Sequence, residues 1–276
     1  MKFSALLSIY KGTTSADLSK CLTSLLLQTL WPDEVLVIKD GPISKNTENC
    51  LKDYTQQLPL RTLEYPTNRG LGPVLQDALP HCKNDIVARV DTDDVCVPDR
   101  FLKQITFLLE NRDISVVGGA LLERYLNCHR NHSVVRNSPT SHRQLTRYAK
   151  QRNPLNHPTV MFRKNDVLSC GGYEKCDLFE DYYLWVKMIM HGFRLANLPD
   201  ILVETDVITD YFRRRGGLKY VRYEIQLAEK LRQLKFFTRL DKYCFIVSRL
   251  PLRLSPWPLR RRIYQSMLRQ RYDAAP

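Results

Sequence analysis

Short apolar runs rich in β-branched residues alternate with segments of helical periodicity through the first 122 residues of the chain. The apolar runs predict five strands, over residues 3–9, 34–39, 61–64, 85–90 and 115–121. Apolar residues at helical spacing predict four helices among them, over residues 15–28, 46–57, 73–82 and 99–111. Strands that alternate with helices indicate an α/β fold with a mostly parallel sheet and crossover helices.

The pattern becomes mixed after residue 122. It predicts a strand over residues 157–163, helices over 165–170 and 179–191, and two short strands over 194–197 and 201–204. From Gly217 onwards the chain is helical and basic, and three prolines interrupt it. We therefore divide the chain into an α/β body over residues 1–210, with halves 1–122 and 123–210, and a basic helical extension over 211–276.

Composition places the chain among ordinary folded proteins, because 43% of its 276 residues are hydrophobic and 26% are charged. The net charge of +13 comes entirely from the extension, since residues 211–276 contain 17 basic and 4 acidic residues (17 − 4 = 13). A basic end on a neutral body indicates contact with an anionic surface, either phospholipid or nucleic acid.

Targeting and redox signals are weak. The eight cysteines include no C-x-x-C pair, which argues against a zinc site and favours reduced thiols. The N-terminal apolar run has no cleavage site, so we interpret it as a first strand and not as a signal peptide. No apolar run is long enough to span a bilayer. We expect a cytosolic protein with at most peripheral contact with a membrane.

Three aspartates follow the predicted strand over residues 85–90, in the sequence Asp91-Thr92-Asp93-Asp94. The carboxyl ends of strands in open α/β sheets face the ligand crevice. Clustered carboxylates repel one another, and a divalent cation with oxygen ligands relieves that repulsion. The alternative is a polar turn that caps the next helix, but a cap requires only one aspartate.

Two further acidic segments carry candidate chemistry. Asp40 and Gly41 follow the strand over residues 34–39, where an acid can bind a ribose or base, or can simply form a turn. Glu180 and Asp181 open an aromatic helix, either as favourable charges in its first turn or as a base at the rim of a pocket. The sequence has no G-x-G-x-x-G and no Walker motif.

In this order and spacing, the DTDD, IKDG and FEDYYLW segments resemble the inverting nucleotide-sugar glycosyltransferases of family 2, which have the GT-A fold: a Rossmann-like, mostly parallel sheet flanked by helices. The segments LSIY, NRGLG and NHPTVMFR match as well, and the resemblance extends from residue 3 to about residue 205. The chain looks most like the bacterial enzymes that build O-antigen, capsule or exopolysaccharide repeat units.

The resemblance implies a role for each matched position. For the nucleotide sugar, a UDP-sugar, it implies contacts from Ser8, Tyr10, Asp40, Arg69, Asp91, Asp93, Arg213 and Arg215. Asp93, with Asp91 beside it, would bind Mn²⁺ or Mg²⁺, and the cation would stabilise the departing diphosphate. Asp181 would be the catalytic base, with Glu180 as a less certain neighbour. Residues 1–122 would then bind the nucleotide and residues 123–210 the acceptor.

The acceptor side of the resemblance includes His157 and Trp185 as contacts. A structural interpretation stays open for three of these features. In it, His157 is a histidine with its hydrogen bonds made inside the fold, Trp185 is a core aromatic ring, and residues 213–215 form a solvated basic turn. Lys39 stands where many relatives carry another acid. The QxxRW motif and the membrane spans of processive synthases are absent, so we expect a single sugar addition per acceptor.

The extension interleaves cations with aromatic residues over residues 219–272. Such segments lie at bilayer interfaces, which implies peripheral attachment to the inner face of the plasma membrane. Single-stranded nucleic acid is the competing partner, but no RNA-binding signature accompanies the segment, so we expect no nucleic acid. Alternatively, these helices simply pack on the body.

The expected activity is metal-dependent transfer of a hexose, glucose, galactose or an N-acetyl form, from a UDP-sugar to a saccharide on polyprenyl diphosphate, with a β-linkage. Two alternatives stay open at this point. A sugar nucleotidyltransferase would use a similar aspartate cluster, although SIYKGTTS is a poor phosphate loop. A non-catalytic adaptor for nucleic acid or membrane would use only the basic extension.

Overall fold

The computed structural model describes residues 1–125, 132–207, 215–267 and 270–272. Strands that pair into one mixed sheet form its centre. They are β1 (Phe3–Tyr10), β2 (Glu34–Asp40), β3 (Leu60–Tyr65), β4 (Ile86–Val90), β5 (Asp94–Cys96), β6 (Ile114–Tyr125), β7 (His132–Arg136), β8 (Met161–Arg163), β9 (Arg194–Val207) and β10 (Gln270–Tyr272).

Helices cover this sheet. They are α1 (Ser15–Leu26), α2 (Lys45–Tyr54), α3 (Leu71–Ala78), α4 (Arg100–Glu110), α5 (His142–Tyr148), α6 (Lys164–Ser169), α7 (Glu180–Met190), α8 (Leu218–Gln233), α9 (Arg239–Val247), α10 (Leu250–Leu254) and α11 (Trp257–Met267). Single 3₁₀ turns lie at Leu79–His81 and His157–Thr159.

The N-terminal half of the sheet is parallel. β1 lies between β2 and β4 and is parallel to both, and β3 extends this half beyond β2. β8 is antiparallel to β4 and joins it to β6, which in turn pairs with β7 and β9. The alternation of side chains along β1 places Phe3 and Leu7 in a core against α1 and α4, and Leu6 in a second core against α3 and α7. The predicted α/β layering is confirmed.

Several predicted boundaries are wrong in the second half of the body. The predicted strand over residues 157–163 begins as a 3₁₀ turn, and only Met161–Arg163 pairs in the sheet. The two strands predicted over 194–197 and 201–204 form one strand, β9, whose register against β6 shifts near Gly118. The short strand β5, which holds Asp94 against Thr205, has no signal in the hydrophobic pattern because it is only three residues long.

The C-terminal helices share a hydrophobic cluster with the body. Its buried members come from α7, α8, α9 and neighbouring turns and are Ala149, Cys176, Tyr182, Tyr183, Val186, Leu227, Ala228, Leu231, Phe236, Phe237 and Phe245. We call this set the extension cluster. Tyr220, Phe236, Phe237 and Phe245 are each less than a tenth exposed, so the expectation that these rings enter a bilayer is wrong. They pack inward because burial of a large aromatic ring stabilises the fold by about 1.5–3 kcal/mol.

Within the described ranges, no helix combines the length and the apolar character that a membrane crossing requires.

Candidate active site

The carboxyl ends of three parallel strands meet at one edge of the sheet. Tyr10, the last residue of β1, is in register with Asp40, the last residue of β2. Leu7 of β1 is in register with Val90, the last residue of β4, which Asp91 follows directly. The parallel pairing therefore brings the predicted IKDG and DTDD segments to the same edge, where α/β proteins bind ligands. Ser8 and Tyr10 lie on this edge as well, and Tyr10 is half exposed.

Asp40 holds the backbone of the NRGLG segment. Its Oδ1 accepts from the Arg69 N–H at 2.7 Å and its Oδ2 from the Gly70 N–H at 3.0 Å, and only 3% of the residue is exposed. Gly41 has φ +83°, and a Cβ there would lie 2.7 Å from the backbone nitrogen of Asn68. Glycine is required at this position because both the conformation and the close approach exclude a side chain. Nucleotide contact by Asp40 stays a prediction.

Asp91, Asp93 and Asp94 form a compact acidic cluster. One carboxylate oxygen from each residue lies within 4.8 Å of the others. Burial and the charges of Asp91 and Asp93 raise the pKa of Asp94 well above its ordinary value, and desolvation and the charge of Asp91 raise that of Asp93. Buried Arg89 forms an ion pair with Asp91 and neutralises part of the negative charge. The cluster therefore stores repulsion that a cation would relieve.

Glu180 and Asp181 begin α7 and approach α3 through Gly72. A Cβ at Gly72 would lie 3.2 Å from the Cβ of Glu180, so a larger residue would displace the glutamate. Burial and the neighbouring Asp181 charge raise the pKa of Glu180 to about 7. Burial also raises the pKa of Asp181, while the Asn153 amide donates to its Oδ2 at 2.5 Å and favours the ionised form.

His157 is a neutral, hydrogen-bonded ring. Its Nε2 lies 2.9 Å from the Tyr173 hydroxyl, and burial and the charge of Arg89 lower its pKa well below the ordinary value. Trp185 is 0% exposed and packs in the core beneath α7, with its ring centroid 6.1 Å from that of His157. The predicted stacking of Trp185 on an acceptor is therefore wrong, because no face of the indole reaches solvent.

One cavity of about 950 Å³ joins the two acidic groups. Asp91 lines it on the side of the sheet edge, Glu180 and Asp181 line it at the start of α7, and His157 lines it as well. The opposite wall is formed by α9, α10 and the residues around them, including Ser248 and Leu252. A ligand in this space would touch both the cluster and the carboxylates of α7.

Three arginines, Arg69, Arg213 and Arg215, are predicted to contact the donor, and they differ in position. Arg215 lines the cavity, whereas Arg213 lies outside the described residues. Arg69 is exposed, forms an ion pair with Asp77 at 2.5 Å and stacks over Tyr65. Their predicted contacts with the donor stay predictions.

Sequence reasoning missed two residues beside the predicted base, Asn153 and Arg136. Both line the cavity; Asn153 donates a hydrogen bond to Asp181, and the charge of Arg136 acts to lower the pKa of Asp181. They lie 28 and 45 residues before it in the chain, in segments without a periodic pattern, so no spacing in the sequence indicates the contact.

The glycosyl transferase family 2 model matches residues 4–172. This segment is more than half of the chain and includes the sheet edge with its acidic cluster. The chain belongs to glycosyl transferase family 2.

Curated relatives of the transferase align over nearly its whole length. It is 34% identical to the amylovoran biosynthesis glycosyltransferase AmsE of Erwinia amylovora, over 95% of this chain and 98% of that one. It is 31% identical to the UDP-Gal:alpha-D-GlcNAc-diphosphoundecaprenol beta-1,3-galactosyltransferase of Escherichia coli, over 98% and 97%. The transferase is thus an enzyme, and the nucleotidyltransferase and adaptor alternatives are set aside.

Solved structures confirm the GT-A fold of the transferase. Residues 1–349 of S. aureus TarS, in complex with UDP-GlcNAc, superpose with a TM-score of 0.63 at 19% identity, over 92% of this chain and 72% of that one. The Pyrobaculum calidifontis mannosyltransferase PcManGT, in complex with GDP-Man and Mn²⁺, gives 0.64 at 14% identity, over 96% and 75%.

The acidic cluster fits a divalent cation. Its donors are carboxylate oxygens alone, which suit Mg²⁺ and Mn²⁺ and not a soft metal. Desolvation by burial, and after it repulsion among the three acids, raises the pKa values of Asp93 and Asp94, and Arg89 compensates part of this charge. A bound cation would restore full ionisation of the cluster.

Proposed function

We propose that this transferase moves a hexose from a UDP-sugar to a saccharide carried on polyprenyl diphosphate, and forms a β-linkage. The E. coli relative, whose name states a UDP-Gal donor and a GlcNAc-diphosphoundecaprenol acceptor, supports both substrate classes. The observation that carries the proposal is the single cavity bounded by Asp91 at the sheet edge and by Asp181 at the start of α7.

Asp91 and Asp93 hold a divalent cation in this proposal, and that cation, when bound, neutralises the charge that develops on the departing diphosphate. Ser8, Tyr10 and Asp40 lie at the same sheet edge and contact the uridine. Arg215 lines the cavity and contacts the diphosphate.

Asp181 removes the proton from the acceptor hydroxyl as that hydroxyl attacks the anomeric carbon. Attack from the face opposite the diphosphate inverts the configuration, so an α-linked donor yields a β-linked product. Asn153 orients Asp181 by donating to its Oδ2 at 2.5 Å. Glu180 is the second candidate for this role, because a pKa of about 7 suits a base that works at neutral pH.

The acceptor would reach the cavity from a membrane surface formed by the extension. Leu240, Tyr243, Val247 and Leu254 are 70%, 66%, 42% and 56% exposed, and their spacing places the first three on one face of α9. Residues 242–272 contain eight basic and no acidic residues. Three of these cations pair with Glu224 and Glu229, but the segment keeps an excess of positive charge, and exposed apolar side chains beside such an excess suit an anionic bilayer. Cys244, exposed on α9, also lines the cavity, so this surface reaches the cavity rim.

A donor screen tests the reaction. The purified protein is given Mn²⁺ or Mg²⁺, a GlcNAc-diphosphate-lipid acceptor and each of UDP-glucose, UDP-galactose and their N-acetyl forms, and NMR determines the linkage of the product. Asp93→Asn and Asp181→Asn remove the charges while conserving shape, and we expect each to lower kcat by about 10²–10⁴-fold.

Asp113→Asn is the matched control, because Asp113 is exposed and its one ion pair among the described residues is with Arg194, at the start of β9. Full activity in folded Asp93→Asn and Asp181→Asn proteins would refute the assignment of both residues. An α-linked product from an α-linked donor would refute the single displacement.

Vesicle binding tests the membrane surface. Leu240→Ser combined with Tyr243→Ser is expected to abolish binding to phosphatidylglycerol vesicles, whereas Leu102→Ser, on exposed α4, serves as the control. Unchanged binding of the double variant would contradict this part of the proposal.

A further inference from the structure

Cations are prominent among the residues that line the cavity. Three of them form ion pairs with two carboxylates. Lys150 pairs with Asp241 at 2.8 Å, and Arg249 and Arg253 both pair with Glu224, at 3.2 and 2.8 Å. The first pair joins the extension to the body and the other two lie within the extension, so each of these three cations already has an acidic partner.

Arg136 and Arg152 differ from these three. Neither forms an ion pair with an acid among the residues that the structure describes, yet both line the cavity. Arg136 ends β7 and is partly buried, and its charge acts on Asp181 in favour of the ionised carboxylate. Unpaired guanidinium groups in a cavity retain donors and positive charge for an anion.

We propose that Arg136 and Arg152 form a second phosphate site, which binds the diphosphate of the acceptor while its saccharide lies at Asp181. This inference rests on the proposed function. The donor diphosphate belongs beside Asp91, at the sheet edge, whereas the charge of Arg136 acts on Asp181, and Arg152 follows Gln151, whose carbonyl accepts from Arg249 of the extension. Guanidinium groups match phosphate oxygens in geometry and charge, and neutral sugar hydroxyls do not require them.

Steady-state kinetics with two acceptors tests the site. One acceptor is the GlcNAc-diphosphate-lipid, and the other is the same GlcNAc joined to the lipid without phosphate. For Arg136→Gln we expect the KM of the diphosphate acceptor to rise about tenfold or more, since a hydrogen bond from a charged group is lost. Loss of the Arg136 charge beside Asp181 is expected to affect kcat equally with both acceptors, so the diagnostic result is a rise in KM confined to the diphosphate acceptor, with the donor KM unchanged.

Arg136→Lys keeps the charge, so the KM of the diphosphate acceptor is expected to rise less than in Arg136→Gln. Arg152→Gln is also expected to raise the KM of this acceptor. Arg143→Gln is the matched control, because Arg143 is an exposed cation on nearby α5 that does not line the cavity.

Two outcomes would overturn the inference while the proposed function stands. A rise in donor KM alone would assign Arg136 to the donor diphosphate. An equal loss with both acceptors, accompanied by a shifted pH profile, would mean that Arg136 acts only on the ionisation of Asp181. Absence of transfer by the unaltered protein with every UDP-sugar would instead refute the proposed function, and the phosphate site with it.

Discussion

Replacing Asp40 with asparagine separates its structural role from its predicted contact with the nucleotide. The carboxylate accepts two backbone hydrogen bonds, from Arg69 at 2.7 Å and from Gly70 at 3.0 Å. An asparagine side chain has one acceptor oxygen, so its NH₂ group would face one of these two N–H donors. The substitution therefore weakens one bond and leaves one partly buried donor without an acceptor.

The magnitude follows from these two losses. A hydrogen bond to a charged group contributes about 1.5–3 kcal/mol, a neutral one about 0.5–1.5, and an unsatisfied buried donor costs about 1–3. We expect Asp40→Asn to lower the free energy of unfolding by about 2–4 kcal/mol. For a protein of this size, that corresponds to a fall in Tm of roughly 5–10 °C.

Thermal unfolding of the protein without ligand measures this effect. Asp53→Asn is the control, because the Asp53 carboxylate is exposed on α2 and makes no hydrogen bond among the described side chains. If Asp40→Asn kept the Tm of the parent and lost only affinity for UDP, the stabilising role of its hydrogen bonds to the NRGLG backbone would be refuted. Direct contact of Asp40 with the nucleotide would then explain the lost affinity.

Three other predictions concern the same region and the extension. Burial raises the pKa of Glu180 to about 7 from an ordinary 4.5, so ionisation of this residue lowers the free energy of unfolding by roughly 3 kcal/mol above pH 7 and has no effect below about pH 4.5. Glu180→Gln should therefore raise the Tm at pH 8 and leave it unchanged at pH 4.5. Equal shifts of the Tm at both pH values would contradict this. Gly72→Val should displace Glu180 and lower kcat/KM about tenfold or more in the transfer assay. Gly72→Ala should lower it less, because the added Cβ alone would lie 3.2 Å from the Cβ of Glu180 and requires only a small shift. Phe237→Ala should cost about 3–5 kcal/mol in urea unfolding with one cooperative transition, whereas a separate early transition would show that the extension folds alone.

The parallel half of the fold could be predicted from the sequence because its strands are buried on both sides. β1, β2 and β4 appear as continuous apolar runs, and each ends directly before a polar or acidic segment. Parallel pairing then brings Asp40 and Asp91 to one edge without any further information. The candidate acids at Glu180 and Asp181 were found for a similar reason, since they precede a strong helical pattern.

Other features depend on contacts between distant segments, which no local pattern records. The aromatic rings of the extension look like interfacial anchors in the sequence, but Phe236 and Phe237 are buried because α7 offers a complementary apolar face. The sequence leaves open whether Trp185 contacts an acceptor or packs in the core, and the structure places its side chain wholly in the core. The hydrogen bond from Asn153 to Asp181 joins a turn to a helix, and the sequence of neither segment predicts this contact.

The two walls of the cavity come from opposite ends of the chain, with Asp91 in the first third and Ser248 and Leu252 near the C-terminus. Exchange of the last 60 or so residues between family members would therefore replace the wall that faces the acceptor in the proposed reaction and keep the sheet edge where we propose that the nucleotide binds. Such a hybrid would fold only if its new helices matched the apolar faces of Tyr182 and Val186. If the proposed function holds, acceptor choice is tied to structural integrity, so that new specificity requires compatible packing.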